Sequence, residues 1–154
     1  LAYEIVEFEK VIESQYITRS MSNRAEELSK QAKKLSLKNV RISKLSNLSL
    51  QLYSLLLKEG YVKNDKNAQK VKSYFEKRLP AYNFSELDFK EKLFLYKAYL
   101  WYSLIVQDFV SSYKYSQKWV DLFETRPEMK KQNPVFYFAF NLSFHKIINQ
   151  TLFL

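Results

Sequence analysis

One glycine, Gly60, and three prolines, Pro80, Pro127 and Pro134, are all the backbone punctuation that this 154-residue chain possesses. Tight hairpin turns draw on Gly, Asn-Gly and Pro for backbone angles that other residues adopt only with strain. An all-β chain of this length would need many such turns. Long helices joined by few loops are therefore the expected architecture. Hydrophobic residues make up 47% of the chain and aromatic residues 17%. That is too much apolar surface for a disordered segment, and the length suffices for one domain with its own core.

Apolar spacing and cap signals predict about seven helices. The first, Ala2 to Ile17, carries a stripe of Ile5, Phe8, Val11, Ile12 and Tyr16. Asn23 and Glu26 form a start signal for the second, which is expected to end near Asn39 with Leu28, Ala32 and Leu35 inward. A third runs from Arg41 to Glu59 on Ile42, Leu45, Leu48, Leu52, Leu55 and Leu56, and Gly60 caps it. No Pro or Gly separates the second from the third. Two helices are preferred over one because the leucine stripe is not a clean heptad across the join.

Asn64-Asp-Lys-Asn67 starts the fourth helix, which Pro80 closes. Asp88-Phe-Lys-Glu91 is a capping box, followed by a nearly all-apolar run from Leu93 to Val106 that reads as the buried central helix. Gln107-Asp108 marks a turn. Phe109, Tyr113, Ser116, Trp119, Val120 and Phe123 form the next stripe, ended by Pro127, and Asn133-Pro134 opens the seventh helix.

These helices pair as antiparallel hairpins: first with second, third with fourth, fifth with sixth. Pro80 and Pro127 close two of the pairs, 47 residues apart, a spacing typical of helical-hairpin repeats. Residues Leu48 to Pro80 resemble a tetratricopeptide repeat. Gly60 stands at the turn, Leu52 eight residues before it, Ala68 at the opening of the second helix, and Pro80 twelve residues later. Leu93 to Pro127, with Asp108-Phe109 at its turn, resembles a second copy. The chain is also similar to bacterial helical-repeat proteins of this kind. The resemblance implies an all-α stack of hairpins, an α-α superhelix forming a single domain over 1–154, and a groove that holds a peptide or helix of a protein partner. It also implies that the first helix of each pair lines the groove. Polar positions there are Asn47, Gln51, Ser54 and Lys97.

Formal charge is +9. Thirteen of the cations lie between Lys30 and Arg78 against three acids, so the excess is local. It favours an acidic partner, or nucleic acid bound through Lys30, Lys33, Lys34, Lys38, Arg41 and Lys44. Richness in Lys, Asn, Ile, Phe and Tyr is also what AT-rich coding produces, so both explanations of the charge stay open. A regulator's effector-sensing or dimerising half would share these features, and a homodimer through the seventh helix is compatible with all of them. Absence of cysteine fits a reducing, cytoplasmic setting. No apolar run is long enough for a membrane span. Glu4, Glu7, Glu9 and Glu13 interrupt the start, so no signal segment is expected there. A chain opening at Leu1 is expected to be part of a longer protein.

Catalytic chemistry has little to work with. The single histidine, His145, lies beside Phe144 in an apolar stretch, and no cysteine accompanies it. One glycine cannot build a phosphate-binding loop. Glu4, Glu7, Glu9, Glu13, Glu26 and Glu27 read as solvated helix faces rather than as acid–base pairs. No enzyme, metal or cofactor is expected. Tyr96, Tyr99, Tyr102, Tyr113 and Tyr115, with Trp101 and Trp119, could stack bases or line a peptide groove, but at helical spacing they read first as packing.

Overall fold

The computed structural model describes residues 1–15 and 23–151. Among these the chain is all-α: seven α-helices, one 3-10 turn and no strand. They are α1 (Ala2–Gln15), α2 (Arg24–Glu59), α3 (Asp65–Arg78), α4 (Phe89–Ile105), α5 (Phe109–Glu124), α6 (Glu128–Gln132) and α7 (Pro134–Thr151), with the 3-10 turn at Phe84–Glu86. The seven expected helices are not the seven observed. The second and third are one helix of 36 residues, and a five-residue α6 fills the interval between Pro127 and Asn133. Lys38-Asn39-Val40-Arg41 contains no residue that obstructs helical hydrogen bonding, and the helix continues through it.

The chain divides into two compact units, Leu1–Ser43 and Lys44–Leu154. In the first, Val6 of α1 packs on Leu28 and Ala32 of α2, with Leu35 beside them. Arg24 ties the same two helices through Glu9 at 2.7 Å. The stripe expected to bury α1 does not do so. Ile5, Phe8, Val11 and Ile12 are all exposed, Phe8 to 65%, and Val6 is the buried residue of this helix. Tyr16, the stripe's fifth member, lies outside the described residues.

In the second unit α4 is the centre. Ten of its 17 residues are buried, including Leu93, Ala98, Leu100 and Ile105. Its start is set by the capping box: the Asp88 carboxylate accepts from the Glu91 N–H at 3.0 Å, and the Glu91 carboxylate accepts from the Asp88 N–H at 2.9 Å. Its end is a Schellman motif. The Asp108 N–H reaches back to the Ser103 carbonyl and the Gln107 N–H to that of Leu104, while Gln107 takes the left-handed conformation with φ 62°. Asp108 then caps α5 by accepting from the Ser111 N–H at 2.9 Å. The reversal makes α4 and α5 an antiparallel hairpin: Phe89 meets Phe123, and Tyr99 stacks on Tyr115. Helix α7, opened by Asn133 and Pro134, lays Phe136 against Phe89 and Phe140 against Phe123. Leu48 and Leu52 of α2 and Phe75 of α3 complete this core. Leu45 joins Leu87 and Leu95 in a smaller one.

Gly60 ends α2 with φ 71°, its N–H bonded to the Leu56 carbonyl. An added Cβ there would meet nothing within 4 Å, so Gly60→Ala carries only the left-handed strain. That predicts a loss of about 1 kcal/mol in denaturant unfolding. The unbroken α2 predicts more for Val40→Pro at the expected join. Unfolding stability should fall by about 3 kcal/mol, with Val40→Ala close to neutral because Val40 is exposed. A proline tolerated at that position would show that the helix breaks there.

Candidate partner-binding surface

Helix α2 carries every residue of the basic set. Each residue advances the helix by about 100°. In the first unit Leu28, Ala32 and Leu35 point into the core shared with α1. By that spacing Lys30, Lys33, Lys34, Lys38 and Arg41 occupy an arc of about 140° on the roughly opposite face. Lys30, Lys33 and Lys34 are exposed; Lys38 and Arg41 are half-buried, and both are already engaged within the protein. Lys30 sits 4.0 Å from Glu26. Neither Lys33 nor Lys34 has an ion pair among the described residues. Lys44, also exposed, begins the second unit on the same helix.

Two apolar side chains interrupt this cationic face. Leu37 is 62% exposed and Val40 49%. Both fall at or beside the arc of the lysines. Charge counting alone overlooks them, although their spacing of seven and seven from Lys30 and Lys33 was legible.

The four residues expected in a peptide groove have different surroundings from one another. Asn47 and Gln51 are exposed and Ser54 half-buried on α2. Gln51 accepts a hydrogen bond from the Tyr74 hydroxyl of α3 at 2.8 Å, so that part of α2 is partly covered. Lys97 is half-buried on α4, its ammonium 5.3 Å from the ring centre of Trp119 and 6.0 Å from that of Phe94. Burial lowers its pKa from the usual lysine value. The Trp119 indole N–H is buried and has no hydrogen-bond partner among the described residues.

The tyrosines form a packed cluster. The Tyr82 and Tyr99 hydroxyls lie 3.2 Å apart, Tyr102 stacks on Phe75 at 4.4 Å, and Lys118 lies within 5.9 Å of the rings of Phe84, Tyr96 and Tyr115. Burial raises the pKa of Tyr96, Tyr99, Tyr102 and Tyr115, and for Tyr99 the Tyr82 hydrogen bond adds to it. Tyr113 is half-buried, Trp101 is buried, and His145 stands exposed on α7. Glu7 pairs with Lys10 at 3.0 Å and Glu9 with Arg24, so these acids serve surface ion pairs. Among the described residues no cluster of His, Asp and Glu side chains could hold a metal ion, and no helix is long and apolar enough to cross a membrane.

Compared with known proteins, the chain matches no family, no curated protein and no solved structure.

The buried titratable groups give the stability a pH dependence whose sign follows from linkage. A raised tyrosine pKa means that the folded state keeps its proton when the unfolded state loses it near pH 10. Stability from these groups is full below that pH and falls above it. For Lys97 the lowered pKa means that the unfolded state binds the extra proton, so stability rises with pH up to about 10.5. Denaturant midpoints measured from pH 7 to 12 should rise and then fall. Lys97→Met should be more stable than the native chain at pH 7 and should flatten the rise.

Proposed function

We propose that this chain is a non-catalytic, cytoplasmic interaction or scaffolding module that takes an acidic protein partner along the exposed face of α2 between Lys30 and Arg41. The observation that carries this reading is the mixture on that face: Lys33 and Lys34, unpaired among the described residues, beside solvent-exposed Leu37 and Val40. Phosphate backbones reward the cations but offer nothing to Leu37 and Val40. An amphipathic segment bearing both acids and apolar residues satisfies both. Burying each apolar side chain contributes on the order of 1 to 2 kcal/mol, and the charges steer association. The α4–α5 hairpin supports a tetratricopeptide-like unit, and the absence of cysteine supports the cytoplasmic setting.

Nucleic acid is the second reading, favoured by the run of cations along about 16 Å of helix from Lys30 to Arg41. Binding is to be measured across a salt series with two probes, a helical peptide of alternating Glu and Leu faces and a DNA duplex. The interaction reading expects the peptide to bind at physiological salt. Leu37→Ser/Val40→Ser and Lys33→Glu/Lys34→Glu should each weaken it about tenfold. Duplex binding that the lysine pair abolishes and the apolar pair leaves unchanged would transfer the surface to nucleic acid. Failure of both probes removes α2 as the binding face.

A further inference from the structure

Beyond its partner surface, the second unit contains a cleft of about 430 Å³ between the end of α2, the segment after Gly60 and α3. Leu55 of α2, Val62 after Gly60 and Val71 of α3, all half-buried, supply its apolar lining, while Ile105 at the end of α4 is buried and contributes little surface. Lys63 and Lys70 stand on its polar side, both exposed and neither paired with a carboxylate among the described residues. Glu59 is the acid that lines it. The wall is built before any ligand arrives. Gly60 turns the chain back, the Val62 N–H donates to the Ile105 carbonyl at 2.9 Å, and the Gln107 side-chain amide donates to the Val62 carbonyl at 2.7 Å. Gln107 holds this position at φ 62°, where a residue with a Cβ is strained. The Schellman turn that closes α4 thus also fixes one wall of a preformed cleft.

We propose that this cleft binds a small organic monoanion with an apolar body, of which a medium-chain carboxylate is the simplest form. Its volume lies in the range of small-ligand sites, about 300 to 1,000 Å³. Two ammonium groups against one carboxylate select an anion over a cation, and Leu55, Val62 and Val71 reward an apolar chain. Polyphosphate ligands fit less well. They use free backbone N–H groups at a helix start, and the Asn67 N–H at the start of α3 is already taken by the Asn64 side chain at 2.9 Å.

The test titrates octanoate, octan-1-ol and octylamine into the protein while backbone amide NMR shifts are followed. Octanoate should shift Val62, Lys63, Asn67 and Val71 saturably, and at least fivefold more tightly than the alcohol or the amine. Lys63→Gln/Lys70→Gln, at exposed positions that leave the fold intact, should weaken octanoate at least fivefold and leave octan-1-ol unchanged. Shifts that do not saturate, or that spread over the lysines of α2, would overturn the proposal. So would a lysine-pair variant that binds octanoate as tightly as the native chain. The α2 surface and this cleft share no residue, so failure of one leaves the other standing.

Discussion

Burial of α4 on several sides is the constraint around which the second unit is arranged. A helix can be apolar nearly all round only when neighbours cover it, and here α2, α3, α5 and α7 all contribute to the core that contains it. Such a helix leaves little freedom at its ends, because unsatisfied backbone groups would be buried with it. Both ends are accordingly closed, the first by the reciprocal Asp88–Glu91 bonds and the second by the Schellman motif at Ser103–Asp108. Glu91 shows how far this goes: a fully buried glutamate, tolerated because its carboxylate accepts from the Asp88 backbone. The sharp reversal that sends α5 back along α4 follows from the second closure.

The parts of this fold that were legible in sequence are those written as local chemistry. Asn64, Asp88 and Asn133 each cap the helix that they were expected to cap, because a side chain accepting a nearby backbone N–H needs no information from afar. Gly60 and the prolines stop or start helices for equally local reasons. The continuity of α2 was not legible. Its apolar repeat changes phase between Leu35 and Leu45, which resembles a break. A phase change shows only that different positions are buried along one helix, and helical hydrogen bonding is indifferent to that. The left-handed Gln107 also escaped notice, since the usual marker of that conformation is glycine.

Of the candidate site, charge was legible and accessibility was not. The lysines of α2 announce themselves by composition, but that Lys38 and Arg41 are engaged while Lys33 and Lys34 have no ion pair among the described residues depends on neighbours the spacing does not reveal. Lys97 shows the same limit. A lysine in a run of apolar residues suggested a polar groove position, whereas its ammonium lies over the Trp119 indole. The α1 stripe erred in the other direction. Ile5, Phe8, Val11 and Ile12 have helical spacing, yet spacing cannot say whether any surface faces them.

Both tryptophans, Trp101 and Trp119, belong to the second unit, Trp119 fully enclosed and Trp101 against Tyr53. The first unit holds no indole at all. Intrinsic emission excited at the red edge of absorption is therefore a spectroscopic label on residues 44–154 alone. It is blind to the pairing of α1 with the start of α2, which far-ultraviolet dichroism does register because that pairing is helical. The two signals together resolve whether the units melt as one cooperative body or as two, with no dye attached.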